Sequence, residues 1–580
     1  MIKIQTEQSP YDTKIWIKSY DEHVKASLEY PTESLGKLFD KAISRYPNRV
    51  ACYFMKREIL FEEFRSYVYS FATFLQKNGL VKGDRVAIML PNCPQYMVAH
   101  IGTLLAGGVA SGCSPLLSPT EISYQLNDSQ AKFFVTLDAV YAKVLTKILD
   151  KVPNLQSIIT TNIADYMGLP RALVFIGKLV GKIPKGKVNL YPGKNVVDFQ
   201  EILKIPKDFK VADIDIDKDL ALLQYTGGTT GLPKGTELTH RNIISNIEQI
   251  TSWLDRKVAN QGDIYLSAFP MFHLAGLAMS MITTYISAPQ ILIANPRDIK
   301  HLIEEVIHKQ PILMVNVPTL YLSIKNSPLA EKIPESALEK LEVYISGAAP
   351  FPAEAIHDFE NSMKATNKIM EVYGMTETSP ILTMNPYLGK KKIGTVGLPV
   401  PDTEIRIVDV ETGEQVELGK PGEIICKGPQ VTRGYYNKPD ANAQTIIDGW
   451  FHTGDVGIMD EDGFITIVDR TKDMLIVSGY KVYSVHVEDI LTKHSNVEMV
   501  AIIGLKDSER PGSEIVKAIV QLKEDVQLND KVKENLIKYA SEHLSKYENP
   551  RIWEFRDSLP LTTVGKVLKR ALRKEAEENQ

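Results

Sequence analysis

The chain has 580 residues, 44% hydrophobic and 24% charged, with 36 Gly and 32 Pro; these averages exclude disorder, collagen-like repetition and a disulfide scaffold. A formal net charge of −4, from 67 basic and 71 acidic residues, offers no global field to attract nucleic acid, so a polyanionic ligand must be held by local groups. The length allows about four domains and several buried cores.

Four cysteines, Cys52, Cys93, Cys113 and Cys426, lie far apart without CxxC spacing, which argues against a zinc site and indicates a reducing compartment. The opening MIKIQTEQSPYDTK lacks the apolar core of a signal peptide, so a cytoplasmic location is expected. Residues 86–120 contain no Asp, Glu, Lys or Arg and are long enough to span a bilayer. Pro91, Pro94, Pro115, Pro119 and the Gly107–Gly108 pair divide them. The spacing predicts a strand VAIML, a helix beginning near Pro94 and closed by the glycines, and a strand VASGCS, together a βαβ unit. AKFFVTL and AVYAKVLTKIL predict the next strand and helix.

Between Asp165 and Asp198 there are six basic residues and no acidic one. Helical spacing in LPRALVFIGKLVGKIPK puts Arg171, Lys178, Lys182 and Lys185 on one side and Leu169, Leu173, Ile176, Val180 and Ile183 on another. Residues 169–187 are therefore either a surface helix with a solvated basic face, or an amphipathic segment that makes peripheral contact with an anionic membrane or receives an acyl chain.

YTGGTTGLPKG, Tyr225 to Gly235, combines glycines, hydroxyls and Lys234 in a short run, as a loop that surrounds phosphate oxygens requires. It is not a Walker A loop, because Lys234 follows Pro233 and precedes Gly235. TELTH after it predicts a strand, so no helix N-terminus aims at the phosphates. A second charge-free stretch, residues 264–296, predicts a strand IYLSA, a helix from Leu274 to about Ser287 and a strand QILIA after Pro289. Such a helix reaches about 20 Å, short of a roughly 30 Å hydrocarbon core.

PILMVNV and TLYLSIKN, then LEVYISG, PAEAIHDFENSM and KIMEVYG, continue an alternation that predicts parallel sheets covered on both faces. From Pro401, TEIRIVD, GEIICKG, DVGIM and FITIVD separated by turns predict antiparallel strands. After Arg470, VHVEDILTKH, VEMVAIIGL, EIVKAIVQL and the amphipathic KVKENLIKYASEHL, with Val532, Leu536, Ala540 and His543 to Leu544 on one side, predict a small α+β domain. The expected fold is α/β: a large N-terminal domain of doubly wound sheets over 1–470, with a β-rich subdomain at about 401–470, and a small α+β lid domain over 471–580.

The chain resembles the adenylate-forming superfamily of acyl- and aryl-CoA synthetases, luciferases and peptide-synthetase adenylation domains. Besides Tyr225 to Gly235, the resemblance rests on FPMFHLAG (Phe269 to Gly276), SGAAP (Ser346 to Pro350), EVYGMTET (Glu371 to Thr378), FHTGD (Phe451 to Asp455), DRTKDMLIVSGYKV (Asp469 to Val482) and PLTTVGKVLKR (Pro560 to Arg570). The motifs occur in the family's order and span nearly the whole chain. They imply a two-step reaction: a carboxylate attacks the α-phosphate of ATP, giving an acyl-adenylate and pyrophosphate, and the thiol of coenzyme A then displaces AMP. Two unit charges at 4 Å repel by about 4 kcal/mol even at an effective dielectric of 20, so cations and oriented N–H groups must offset the approach of the carboxylate.

The resemblance also implies roles. Thr226, Gly227, Gly228, Thr229, Thr230, Gly231 and Lys234 would hold the β- and γ-phosphates. Glu377, with Thr226 as the weaker candidate, would coordinate Mg²⁺, and Thr376 would bond the α-phosphate. Gly347, Ala348 and Ala349 with Glu371, Val372 and Tyr373 would enclose adenine, and Asp455 and Arg470 would meet the ribose. Lys566 would be the adenylation lysine and Lys472 the hinge. Ser478, Gly479 and Tyr480 would line the coenzyme A tunnel. Phe272, His273, Val317, Gly347 and Gly374 would line the acyl pocket, with His273 at the junction of the two tunnels.

No Asp stands beside Phe272 and His273 to pair with an amino-acid ammonium, which disfavours amino-acid activation. The motifs look most like medium- to long-chain fatty acid:CoA ligases. An aryl or coumarate-type CoA ligase, a fatty acyl-AMP ligase that does not use coenzyme A, and a nucleotide-binding regulator without turnover are the alternatives.

Overall fold

Prolines and glycines shape the first charge-free stretch as its spacing predicts. In the computed structural model, which describes residues 9–226, 232–478, 480–507, 510, 513–561 and 567–578 apart from the Arg171 side chain, strand Arg85–Met89, helix Pro94–Ala106 and strand Val109–Gly112 form a βαβ unit with parallel strands. Gly107 ends the helix at φ 89°, a conformation that a side chain would strain. Every residue of this helix is buried, which accounts for its lack of charge. The second stretch repeats the arrangement with Tyr265–Ser267, Leu274–Tyr285 and Gln290–Leu292. Among the described residues no helix is long and apolar enough to cross a membrane.

Two large sheets carry the N-terminal domain. The seven-stranded one runs Asn195–Asp198, Ser157–Thr161, Phe133–Leu137, Arg85–Met89, Val109–Gly112, Leu220–Thr226, Lys234–Thr239. It is parallel up to its last strand, which returns antiparallel beside Leu220–Thr226. The nine-stranded sheet is parallel from Ile369–Gly374 through Val343–Ser346, Leu313–Asn316, Tyr265–Ser267 and Gln290–Leu292 to Val50–Phe54, with antiparallel strands at both edges. Glu404–Val408, Gly422–Lys427, Trp450–Met459 and Ile465–Arg470 form the antiparallel β-rich part.

The C-terminal domain packs helices Ser484–Thr492, Asp530–His543 and Lys569–Glu578 against strands Val497–Lys506, Glu514–Leu522 and Ile552–Phe555. Its apolar clusters, around Val487, Ile502 and Leu536 on one side and Ile503, Ile519 and Leu572 on the other, are its own, as a domain requires.

Three local expectations need correction. Helix Asp138–Lys143 is shorter than AVYAKVLTKIL suggests and continues as two 3₁₀ turns. His543 is exposed and stacks on Tyr539, while Leu544 takes the buried place. The basic helix covers only Arg171–Leu179. Gly181 at φ 74° lies just beyond its end, so Lys182 and Lys185 leave the helical face, and Ile183 turns inward.

Candidate active site

Thr226 and Lys234 face each other across the antiparallel pair Leu220–Thr226 and Lys234–Thr239. Gly227, Gly228, Thr229, Thr230 and Gly231, which connect them, lie outside the described residues, as do Gly479 and Lys566. The base of the connection is held by groups that the motif does not contain. Tyr225 donates its hydroxyl to Asp128 Oδ2 at 2.7 Å, Lys438 donates to Asp128 Oδ1 at 2.9 Å, and Tyr124 donates to the Pro233 carbonyl at 3.0 Å.

Beside this hairpin, the 3₁₀ turn Thr376–Thr378 presents buried Thr376 and Glu377. Glu377 Oε1 accepts the Tyr435 hydroxyl at 2.8 Å, its carbonyl accepts the Thr432 N–H at 2.8 Å, and Lys234 Nζ stands 4.9 Å from the centre of the Tyr435 ring. Burial pushes the Glu377 carboxyl above the usual carboxylate range, and the Tyr435 hydrogen bond works against that shift. Tyr435 thus joins the loop lysine to the buried acid. Sequence reasoning missed it, since nothing in GYYNKP marks one tyrosine as facing a carboxylate.

Ser346 pairs with Glu371 in register, so strand Val343–Ser346, running into Gly347, Ala348 and Ala349, lies beside strand Ile369–Gly374 with Glu371, Val372 and Tyr373. A side chain at Gly347 would begin 2.9 Å from Val372 Cγ2. Ala348 sits at φ 67°, Ser379 at φ 70° and Ser478 at φ 50°. Each is a strained conformation costing about 1 kcal/mol or more outside glycine; Ala348 and Ser478 fall within family-like motifs and Ser379 directly after one. The Tyr373 hydroxyl donates to Asp455 Oδ2 at 2.7 Å, and Arg470 Nε donates to Asp455 Oδ1 at 3.1 Å. A carboxylate accepts about four hydrogen bonds, so both oxygens keep capacity for a ligand.

Glu371 is largely enclosed and accepts a single N–H, from Gly394 at 3.1 Å, and desolvation pushes its carboxyl up to about 7. A carboxyl pKa raised by folding means that the native state holds the proton better than the unfolded chain. The charge therefore costs little below the unfolded value of about 4.5 and progressively more up to about pH 7. Glu371→Gln should match the parent in denaturant midpoint near pH 4.5 and exceed it near pH 8, by up to about 3 kcal/mol. A difference independent of pH would contradict this.

Three buried amides hold the segment carrying Phe272 and His273. Asn92 Nδ2 donates to the Phe269 carbonyl at 2.8 Å and its Oδ1 accepts from Met271 N at 2.7 Å; Gln224 Nε2 donates to the Phe272 carbonyl at 2.7 Å; Asn316 Oδ1 accepts from Ala268 N at 3.1 Å. His273 Nδ1 accepts the Ala275 N–H at 3.2 Å and so caps helix Leu274–Tyr285. Val317 is half-buried ahead of helix Pro318–Lys325. Gly374 has a plain backbone reason: a Cβ there would lie 1.9 Å from the Pro380 carbonyl oxygen. The amides escaped sequence reading because they come from three distant segments.

Lys472 is exposed between two anchored neighbours. Arg470 is tied to Asp455 of the large domain, and Asp473 pairs with Arg573 of the last helix. In the hairpin Leu475–Val477 and Tyr480–Val482, Ser478 N donates to Ser513 Oγ at 2.9 Å, Ser478 Oγ accepts from Arg510 at 3.1 Å, and Tyr480 stacks on Tyr547 at 4.7 Å between ring centres.

Two largely parallel sheets, a β-rich part, a small α+β domain, and a Thr–Lys hairpin beside a buried glutamate make up an architecture that matches solved structures of adenylate-forming enzymes. The chain belongs to the adenylate-forming AMP-binding enzyme family: the family model for the AMP-binding enzyme matches residues 39–436, and that for the AMP-binding enzyme C-terminal domain matches 486–566. It is 36% identical over 569 residues to a long-chain-fatty-acid–CoA ligase of Bacillus subtilis, covering 98% of this chain and 99% of that protein. A probable 4-coumarate–CoA ligase 2 of Dictyostelium discoideum is 29% identical over 552 residues, covering 94% and 95%. Among solved structures, the ATP-bound RpMatB-BxBclM chimera B3 superposes with a TM-score of 0.80 at 27% identity, covering 94% of this chain and 99% of the chimera.

Proposed function

We propose that this protein is an ATP-dependent, AMP-forming ligase that joins a medium- to long-chain fatty acid to coenzyme A. The observation that carries the choice of substrate is the 36% identity, over nearly the full length, to long-chain-fatty-acid–CoA ligases of Bacillus subtilis and Salmonella typhimurium; the coumarate-type relative is more distant. In the first step the fatty carboxylate attacks the α-phosphorus of ATP and pyrophosphate leaves. In the second the thiol of coenzyme A attacks the acyl carbonyl of the adenylate and AMP leaves.

The site residues divide the work between them. Thr226, Lys234 and the loop between them hold the β- and γ-phosphates. Thr376 bonds the α-phosphate, and Lys566 sets a compact positive charge between it and the attacking carboxylate. Gly347 to Ala349 with Glu371, Val372 and Tyr373 enclose adenine, and Asp455, oriented by Tyr373 and Arg470, accepts the ribose hydroxyls. Phe272, His273, Val317, Gly347 and Gly374 line the acyl pocket, with His273 as a gate, and the Ser478–Tyr480 segment lines the path of coenzyme A.

Among the described residues no group of three or more His, Cys, Asp or Glu could cage a metal ion. Glu377 is a buried acid facing a single hydroxyl donor, which fits Mg²⁺, a cation that takes one or two carboxylates and completes its shell with phosphate and water oxygens. Glu377 would hold it, with Thr226 as a hydroxyl ligand, and the bound ion would neutralise phosphate charge.

Residues 1–470 and 471–580 act as two bodies joined at Lys472, and the smaller one reorients between the half-reactions. Lys472→Pro, which fixes φ near −65°, should lower thioester formation more than pyrophosphate exchange. Unchanged thioester turnover would remove the hinge assignment.

The reaction itself is tested with a panel of acids from acetate through palmitate to coumarate, scored for AMP release with and without coenzyme A. An optimum at a fatty acid that depends on coenzyme A is expected. A coumarate optimum would assign an aryl ligase, adenylate accumulation indifferent to coenzyme A would assign an acyl-AMP ligase, and no acid-stimulated turnover would leave only a nucleotide binder.

Peripheral membrane contact through residues 169–187 completes the proposal, because a long-chain acid partitions into bilayers.

A further inference from the structure

Helix Arg171–Leu179 turns its apolar side chains outward. Leu173 is 53% exposed, Phe175 68%, Ile176 51%, Leu179 68% and, just past its end, Val180 59%. The helix is nonetheless seated on the protein by the residues on its C-terminal side. Ile183 N donates to the Gly177 carbonyl at 3.0 Å, the Ile183 side chain is buried beneath Gly177, and the Pro184 carbonyl accepts the Asn162 amide at 2.9 Å. The apolar face is thus built outward. Clusters of exposed large apolar groups mark interaction sites.

The segment's own charges have one sign, with Asp165, just before it, within electrostatic reach of Lys178. No acidic residue occurs between Asp165 and Asp198. Lys182, Lys185 and Lys187 are exposed and form no ion pair with the described residues. Lys194, the sixth basic residue of the stretch, is spent on the carbonyls of Val152, Pro153 and Leu155. A nine-residue helix is about 14 Å long and about 10–12 Å wide, so one face covers roughly 150 Å², far short of the roughly 800 Å² per partner in a stable protein interface. Protruding apolar side chains followed on the C-terminal side by exposed lysines instead match an anionic lipid surface, where the apolar groups enter the acyl boundary and the lysines stay with the head groups.

We propose that helix Arg171–Leu179 and residues 180–187 form a docking surface for an anionic phospholipid bilayer, with Leu173, Phe175, Ile176 and Leu179 as the inserting side chains and Lys182, Lys185 and Lys187 as the head-group contacts. The surface deepens the membrane contact in the proposed ligase function, and rests on that reading only for its purpose, capture of the fatty acid where it is dissolved.

The test is flotation of the full-length protein with vesicles of phosphatidylcholine alone or mixed with phosphatidylglycerol, at low and raised salt. Binding is expected only to the mixed vesicles and should weaken with salt. The charge reversal Lys182→Glu/Lys185→Glu/Lys187→Glu should lower partitioning by roughly 100-fold, at about tenfold or less per lysine. Leu173→Ser/Phe175→Ser should lower it by about tenfold or more at any salt. Both variants should keep the parent's AMP formation from water-soluble octanoate, which shows that they fold. No binding to anionic vesicles, or binding unaltered by charge reversal, overturns the surface. Sedimentation showing dimers that Phe175→Ser dissolves would assign the face to a second copy instead and also overturns it. Vesicle binding without any acid-stimulated AMP release would sink the ligase function and leave the surface standing.

Discussion

Glu377→Gln is expected to slow adenylate formation by roughly 10²–10³-fold, the loss typical of removing one preorganised electrostatic group from a reacting phosphate or carbonyl, while the denaturation midpoint holds or rises. The two outcomes share a cause. Glu377 is 8% exposed and its side chain receives one hydrogen bond from a described residue, the Tyr435 hydroxyl. A carboxylate in that position costs stability unless a cation pairs with it. Glutamine keeps the shape and still accepts from Tyr435, so the fold loses little and sheds the desolvation cost. Pyrophosphate exchange against Mg²⁺ concentration, read beside thermal unfolding without nucleotide, separates the possibilities. A falling midpoint with proportionate loss of activity would make Glu377 a structural residue, and unchanged exchange would remove it from the site.

Lys566→Ala should lower pyrophosphate exchange by about 10³-fold or more yet leave conversion of supplied acyl-adenylate to acyl-CoA within a few-fold of the parent. The two half-reactions make unlike demands. The first brings a carboxylate against a triphosphate and needs a mobile compact cation; in the second a neutral acyl carbonyl meets a thiol. The described residues that bracket 562–566 pair with one another: Leu561 bridges Val567, the Leu568 N–H donates to the Pro560 carbonyl at 2.8 Å, and Leu559 and Leu572 are buried in one cluster. Alanine at this position should therefore leave the domain folded. Equal loss of both half-reactions would sink the assignment.

Local sequence carried much of the fold because the signals were strong and short-ranged. Pro94 and Gly107 bound a helix whose lack of Asp, Glu, Lys and Arg matched burial on every side. The strands of the second charge-free stretch lie within the predicted runs but are shorter, Tyr265–Ser267 inside IYLSA and Gln290–Leu292 at the start of QILIA, just after Pro289. The signal failed where periodicity has two meanings. In residues 169–187 an apolar stripe at helical spacing looked the same whether it faced a core or solvent, and the helix stopped at Leu179. His543 shared a helical face with Ala540 on paper but lies out on the surface.

The site divides the same way. Thr226, Lys234, Thr376, Glu377, Asp455 and Arg470 stand in the short ordered motifs that carry the family resemblance, so roles for them could be proposed from the sequence. Asp128 and Lys438 behind Tyr225, Tyr435 between Lys234 and Glu377, and the amides Asn92, Gln224 and Asn316 around the Phe269–His273 segment were not legible. Asp128 is 97 residues from Tyr225 and 310 from Lys438, Tyr435 is 58 from Glu377, and the amides are 48 or more from the groups that they meet. By itself the sequence determined the chemistry and the α/β plan, since both are written in residue type and near-neighbour spacing. Only the tertiary structure decided which distant side chains hold Glu377 and the Phe269–His273 segment, and which face of the basic helix meets solvent, because burial and hydrogen-bond partnership come from packing between segments.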